Sequence, residues 1–307
     1  GLYDPYYVPG NSALIARQHK VLDSMVEMNY ITKEQANEAK QVPILDTVKP
    51  KAEQYADIKA PHFVLMVRDQ LEKELGKSTV GKGGLTVTTT LDSTLQGKLE
   101  GRMQSMFNGK LTNSNCGNTN CATYAGFTNG AAAIEDNKSG QIIALVGSRG
   151  FNHAGYGQDN AATAFIQPGS TIKAFDYAKL FENRGSNQQN YGSGSILSDE
   201  NIDKIYGAKL NNWDRRFMGS ISIRRSLALS RNIPAVKAMY IAGNGSPKPT
   251  VDYIHNMGNT NYCQQEEAAG GYGLSAAIGA CGTKQTELVN AYGTFARMGV
   301  AKPSTNV

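Results

Sequence analysis

The chain has 307 residues, 40% hydrophobic and 19% charged, with a net charge of +5. That length suits about two domains of ~150 residues each, with enough apolar material to bury a core. The charge is mild and no Lys/Arg-rich run occurs, so nucleic acid is not an expected partner.

In chain order, Ser12 to Met28 carries apolar residues at helical spacing: Leu14, Ile15, Val21, Leu22, Met25 and Val26. Thr32 and Gln35 fit a capping box that opens a second short helix to about Gln41. Pro43 and Pro50 bracket a linker. Pro61 suits the first position of a helix over 61–75, with Phe63, Val64, Val67, Leu71 and Leu75 as its stripe and Gly76 as its stop. The β-branched run Leu85–Leu91 predicts a strand. Asp92 then caps a helix to about Met106, and the polar stretch 108–130 is a loop. Residues 131–135 and 141–146 predict a hairpin around a turn at Asp136–Gly140. Beyond 165 the pattern is mostly helical. Strands followed by a helical block imply an α+β fold rather than repeated βαβ units.

His19, His62, His153 and His255 are scattered, so no metal site is expected, and no cofactor is implied. Cys116, Cys121, Cys263 and Cys281 suit either two disulfides in an oxidising compartment or buried thiols. Cys116 and Cys121 flank a polar stretch that a staple could close. The longest apolar runs, such as Phe63–Val67, fall far short of the ~18–20 residues of a membrane span. The chain opens on Gly1-Leu2-Tyr3-Asp4-Pro5 without a signal peptide, and both ends read as cut.

Three short motifs bear on chemistry. In Gln167-Pro168-Gly169-Ser170-Thr171-Ile172-Lys173, Pro168-Gly169 makes a turn and helical character follows. Ser170 and Lys173 then share a helix face. A lysine with a depressed pKa can take the serine proton, and the helix N-terminus favours an oxyanion. Ser170 is the only serine with lysine three residues on, although a Ser-x-x-K tetrad alone is also an ordinary helix start. Ser230-Arg231-Asn232 can place a second hydroxyl beside that lysine and an amide over a peptide substrate, although Ser and Asn also serve as plain caps. Lys138-Ser139-Gly140 matches a K-[ST]-G pattern but precedes Ser170, and its turn chemistry reads as a β-turn with a solvated lysine.

At these residues the chain resembles the class A, bifunctional penicillin-binding proteins. Ala60–Val64, Gly84–Asp92 and Ala131–Gly147 resemble the first part of their transpeptidase domain. Gln167–Lys173 resembles the nucleophile motif, and Asn212-Trp213 with Leu227–Val236 the second motif. Leu274–Gly279 and Glu287–Ala296 resemble a later helical stretch. The resemblance implies an incomplete penicillin-binding transpeptidase or serine β-lactamase-like fold over 60–307, after a linker at 46–59. Residues 1–45 resemble the helical tail of a glycosyltransferase domain whose catalytic part is absent.

The resemblance further implies that Ser170 is acylated, Lys173 is its base, and Ser230 and Asn232 assist. Gly169 and Trp213 are substrate-binding candidates, core packing being the commoner fate of a lone tryptophan. The substrates implied are peptidoglycan stem peptides ending in D-Ala-D-Ala, with β-lactams as inhibitors. The parent protein is expected at the extracytoplasmic face of the bacterial membrane, anchored through an N-terminal segment. The family's third motif is absent up to Val307, so the chain as given is expected to be inactive or barely active and marginally folded, with the strands at 131–146 short of partners. A β-lactamase or β-lactam-sensing domain, a D,D-carboxypeptidase and a degenerate scaffold that binds wall components or partner proteins are the rival readings.

Overall fold

The structure, a computed structural model, describes residues 12–44, 58–109, 120–182 and 189–307. The opening Gly1–Pro5, most of the linker over 46–59 and Cys116 lie outside the described residues. The chain divides into two compact units, Gly1–Lys59 and Ala60–Val307.

The described part of the first unit is a pair of packed helices, α1 (Ser12–Glu27) and α2 (Lys33–Lys40). Its capping box is complete. Gln35 N–H donates to Thr32 Oγ1 (3.2 Å) and Thr32 N–H donates to Gln35 Oε1 (2.8 Å). Two helix-terminal donors that would otherwise face water alone are thereby satisfied.

In the second unit, α3 (Pro61–Leu75) starts on Pro61 and stops at Gly76, whose φ of +84° favours glycine. Next, α4 (Ser93–Phe107) is capped by Asp92, whose Oδ1 accepts from Thr94 and Leu95 N–H at 2.9 Å. The strand expected at 85–91 does not form. Its described hydrogen bonds are isolated ones at its end: Thr90 N–H donates to Asn306 O and Thr90 Oγ1 to Ile142 O, and just beyond it Asp92 N–H donates to Ile143 O. β-Branched composition does not make a strand without a ladder to join.

The hairpin does form. β1 (Ala132–Asp136) pairs antiparallel with β2 (Gln141–Val146), Ala132 opposite Val146 and Asp136 opposite Gln141. Asp136 organises the turn: its Oδ2 accepts from Ser139 N–H (3.0 Å) and Ser139 Oγ (2.5 Å). Lys138-Ser139-Gly140 is therefore turn chemistry, with Lys138 exposed. The uncovered apolar surface expected here is not seen on β2. Ile142, Ala144, Leu145 and Val146 are all buried, and Ile142 and Leu145 pack in one core with Phe63, Val67 and Ala162. Residues near Thr305 bond along the β2 edge, with Ile142 N–H donating to Thr305 O at 2.9 Å.

A 3-10 turn over Gly169–Ile172 leads into α5 (Lys173–Phe181). A second two-stranded sheet pairs β3 (Ile196–Asp199) with β4 (Gly219–Ser222). Then come α6 (Ile223–Ala228), α7 (Asn232–Ala242), α8 (Lys248–Asn256) and α9 (Gln285–Ala296). The sequence of α7, NIPAVKAMYIA, is apolar on nearly every side, which suits a helix enclosed by neighbours. Its Ile233, Val236 and Met239 pack with Ile172 and Phe175 of the preceding segment and with Val251 and Ile254 of α8. Ala235 and Ala238 face a third core with Tyr177, Leu180 and Leu197. The contact of α5 with α7 brings the two sequence motifs together.

Candidate active site

Ser170 lies inside the 3-10 turn, and Lys173 N–H closes that turn on Ser170 O. Side chains three apart eclipse in a 3-10 helix, so Ser170 and Lys173 project on the same side. Ser170 is exposed, whereas Lys173 is fully buried. Within the first turn, the Ser170 amide belongs to the helix-start N–H groups that lack an intrahelical acceptor.

The Lys173 side chain reaches across to the second motif. Its Nζ donates to Asn232 Oδ1 (2.6 Å), Ser230 O (2.7 Å) and Ser230 Oγ (3.2 Å). Three acceptors match the three protons of an ammonium. Burial, however, disfavours that charge and pushes the Lys173 pKa down to about 8. The Asp176 carboxyl opposes this shift and Arg231 adds to it. At pH 7.4 about a fifth of such lysines are neutral, against about one in a thousand at the ordinary value. The geometry thus unites Lys173, Ser230 and Asn232. No hydrogen bond joins Ser170 Oγ to Lys173 among the described residues.

A buried scaffold holds the second motif in place. Ser230 has φ +51°, just past the end of α6, in the left-handed region where helix ends favour Gly or Asn. Arg231, 1% exposed, donates through Nε to Asp199 Oδ2 (2.8 Å), through Nη1 to Asp214 Oδ2 (2.8 Å), and through Nη2 to Arg216 O. Asn212 completes the network. Its Oδ1 accepts from Asn232 N–H (2.8 Å) and Ile233 N–H (3.3 Å), and its Nδ2 donates to Asp199 Oδ1 (2.7 Å). The N-cap of α7 is Arg231, which makes no side-chain cap bond, so Asn212 caps the helix from another segment. Asp214 is held below the usual carboxylate range, first by its bond from Arg231.

Trp213 is 71% exposed, which excludes the core-packing reading, and its Nε1 donates to Leu229 O beside Ser230 (3.1 Å). Gly169 has φ +57°, and a Cβ there would meet open space, so backbone conformation is what glycine serves at that position. A cavity of about 440 Å³ adjoins the turn, lined by Gln167, Pro168, Thr171, Asn129, Thr283 and Gln285, but not by Ser170 or Lys173.

Arg231, Asn212, Asp199, Asp176 and Gly279 are not among the sequence candidates. Arg231 sits inside the second motif and could have been suspected, but its acidic partners lie 17 and 32 positions away. Asp176 follows Lys173 on α5, fully buried, with neither carboxyl oxygen hydrogen-bonded, and burial raises its pKa well above the usual range. Of the cysteines, Cys263 and Cys281 are bridged, and Cys121 is disulfide-bonded.

A family model for the penicillin binding protein transpeptidase domain matches residues 130–305. Penicillin-binding protein 1A/1B of Bacillus subtilis is 28% identical over 97% of this chain and 30% of its own length. Penicillin-binding protein 1A of Streptococcus oralis is 27% identical over 91% of this chain and 43% of its own. The chain therefore spans less than half the length of these relatives. Among solved structures, the penicillin-binding protein PonA1 from Mycobacterium tuberculosis aligns with a TM-score of 0.62 at 22% identity, covering 81% of this chain and 60% of that one. A PonA1 complex with penicillin V aligns with a TM-score of 0.62 at 21% identity, covering 81% and 62%. These likenesses establish a shared fold.

Proposed function

Since the chain belongs to the penicillin-binding protein transpeptidase family, we propose that its site carries out serine acyl transfer on D-Ala-D-Ala stem peptides, cross-linking peptidoglycan. The observation that carries this reading is the Lys173 Nζ cluster with Ser230 Oγ and Asn232 Oδ1, next along the helix face from Ser170.

In this reading Ser170 Oγ attacks the carbonyl carbon of the penultimate D-Ala, and neutral Lys173 takes the hydroxyl proton. The oxyanion forms against the start of the 3-10 turn, where the Ser170 N–H can donate to it. On collapse the peptide C–N bond breaks, and the leaving D-Ala amine receives the proton through Ser230 Oγ. An amine from a second stem then attacks the ester and frees Ser170, the proton returning by the same groups. Asn232 holds Lys173 through Oδ1, while its Nδ2 is anchored on Asn211 O (2.9 Å). Trp213 and Gly169 border the donor peptide. A β-lactam would acylate Ser170 by the same attack, opening its ring.

We assign residues 60–307 to this domain and 1–45 to the tail of a glycosyltransferase domain, on sequence resemblance, with 46–59 as linker. The substrate places the site at the extracytoplasmic face of the membrane, a setting that suits disulfides at Cys121 and between Cys263 and Cys281. No described helix is long and apolar enough to cross a membrane.

The test is incubation with a D-Ala-D-Ala pentapeptide donor and an amine acceptor. Released D-Ala with an equal amount of cross-linked product supports transpeptidation. D-Ala released with water as the only acceptor would replace it by carboxypeptidation. No release that depends on Ser170 and Lys173 would refute both.

A further inference from the structure

We propose that the Cys263–Cys281 disulfide and Gly279 are a positioning device for the Ser170 nucleophile, clamping the stretch of chain on which its turn rests. The proposal deepens the acyl-transfer reading and rests on it for its kinetic consequence.

Three of the four residues before Ser170, namely Ile166, Gln167 and Gly169, are tied to residues 279–283. Ile166 N–H donates to Thr283 O (2.9 Å), and Thr283 N–H returns a bond to Ile166 O (3.0 Å). Gln167 Nε2 donates to Ala280 O (2.7 Å), and Gly169 N–H to Gly279 O (3.2 Å). The approach at the last of these points is very close. A Cβ on Gly279 would lie 2.1 Å from Gly169 O and 2.4 Å from Gly169 N, both backbone atoms that cannot swing aside. Gly279 also has φ +75°, so no other residue fits without moving the turn. Any such movement reaches Ser170 directly, because it is the next residue.

Residues 281–284 are in turn gripped by residues 261–266, a turn that runs into the short helix Gln264–Ala268. The Cys263–Cys281 bridge spans 18 positions and is buried at both ends. Around it, Cys263 N–H donates to Gly282 O (3.3 Å), Gly282 N–H to Glu266 Oε1 (2.8 Å), and Lys284 N–H to Asn261 Oδ1 (3.1 Å). Cys263 itself holds φ +60°, a left-handed conformation that a cysteine tolerates poorly. The bridge is the covalent member of this set. It restrains the carbonyls of residues 279–283 that fix the turn.

The experiment compares the wild type with Cys263→Ser/Cys281→Ser and Gly279→Ala, all checked for folding by circular dichroism. Two readouts are taken: benzylpenicillin acylation kinetics, separating the apparent dissociation constant from the limiting rate, and site-resolved amide exchange. The limiting rate is expected to fall about tenfold to a hundredfold in each variant, as small misplacements of reacting groups do, with the dissociation constant little changed. Exchange at Ile166 and Gly169 should accelerate while Leu145 and Val236 stay protected. Wild-type limiting rates and wild-type exchange at 166 and 169 in folded variants would overturn the proposal. If the serine pair fails to fold, Gly279→Ala decides alone, because it leaves the bridge intact. If the wild type takes no acyl group, the transpeptidase reading has failed, and the exchange data still decide whether the bridge holds the turn.

Discussion

Lys173 Nζ donates to Asn232 Oδ1 across 2.6 Å, joining residues 59 positions apart in sequence. This bond makes the two sequence motifs one site. It also explains why α7 must pack on α5: any slip between these helices would separate the lysine from both Ser230 and Asn232.

The depressed Lys173 pKa has a kinetic consequence. Acylation of Ser170 should rise with pH and level off above about 8, as the neutral amine becomes the main form. Asp176 pulls the Lys173 pKa upward only as a carboxylate, and its own burial favours the neutral acid, so Asp176→Asn moves this acid limb to lower pH if the carboxyl is charged in the folded protein. Penicillin acylation rates over pH 6–9.5 for both proteins check it. An unmoved limb would show that the carboxyl does not act on the lysine.

Stability should follow the same group. The folded pKa of Lys173 lies below its unfolded value of 10.5, so the unfolded chain binds more protons between about pH 8 and 10.5. Stability lost at neutral pH is therefore regained as pH rises through that window. Relative to Lys173→Met, the wild type should gain about 2–3 kcal/mol between pH 7.5 and 10, read by urea unfolding.

Ser230 separates backbone from hydroxyl. Its φ of +51° strains any residue with a Cβ. Ser230→Gly should be more stable than Ser230→Ala by about 0.5–1 kcal/mol, while both lose acylation alike. Thermal midpoints and acylation rates of the two variants check the pair.

Arg231 is a structural charge beneath the site. Arg231→Ala leaves Asp199 buried and unpaired and should destabilise the fold by about 3–5 kcal/mol. Arg231→Lys keeps the charge but loses the fork that spans Asp199, Asp214 and Arg216 O. It should cost less stability and still slow acylation, because Ser230 and Asn232 flank it. Urea unfolding and acylation rates of both variants check this.

Local signals are legible in the sequence where one segment decides its own structure. The capping box at Thr32 and Gln35, Pro61 at a helix start, Asp92 as a cap and the Asp136–Gly140 turn all satisfy their own neighbours. The 85–91 segment forms no strand because a strand needs a partner elsewhere, which composition cannot supply. The same limit hides Asn212 as the distant cap of α7 and Gly279 as the support of Gly169, since each acts on a residue far away in sequence. Trp213 stays outside the core, 71% exposed, with its indole N–H on Leu229 O, a pairing no periodicity encodes.

The most direct test of the central claim is the intact mass of the protein after incubation with benzylpenicillin, beside Ser170→Ala. One penicilloyl adduct is expected, mapping by proteolysis to the peptide that contains Ser170 and absent from the variant. A folded protein that takes no adduct, or an adduct that persists in Ser170→Ala, would contradict Ser170 as the acylated nucleophile.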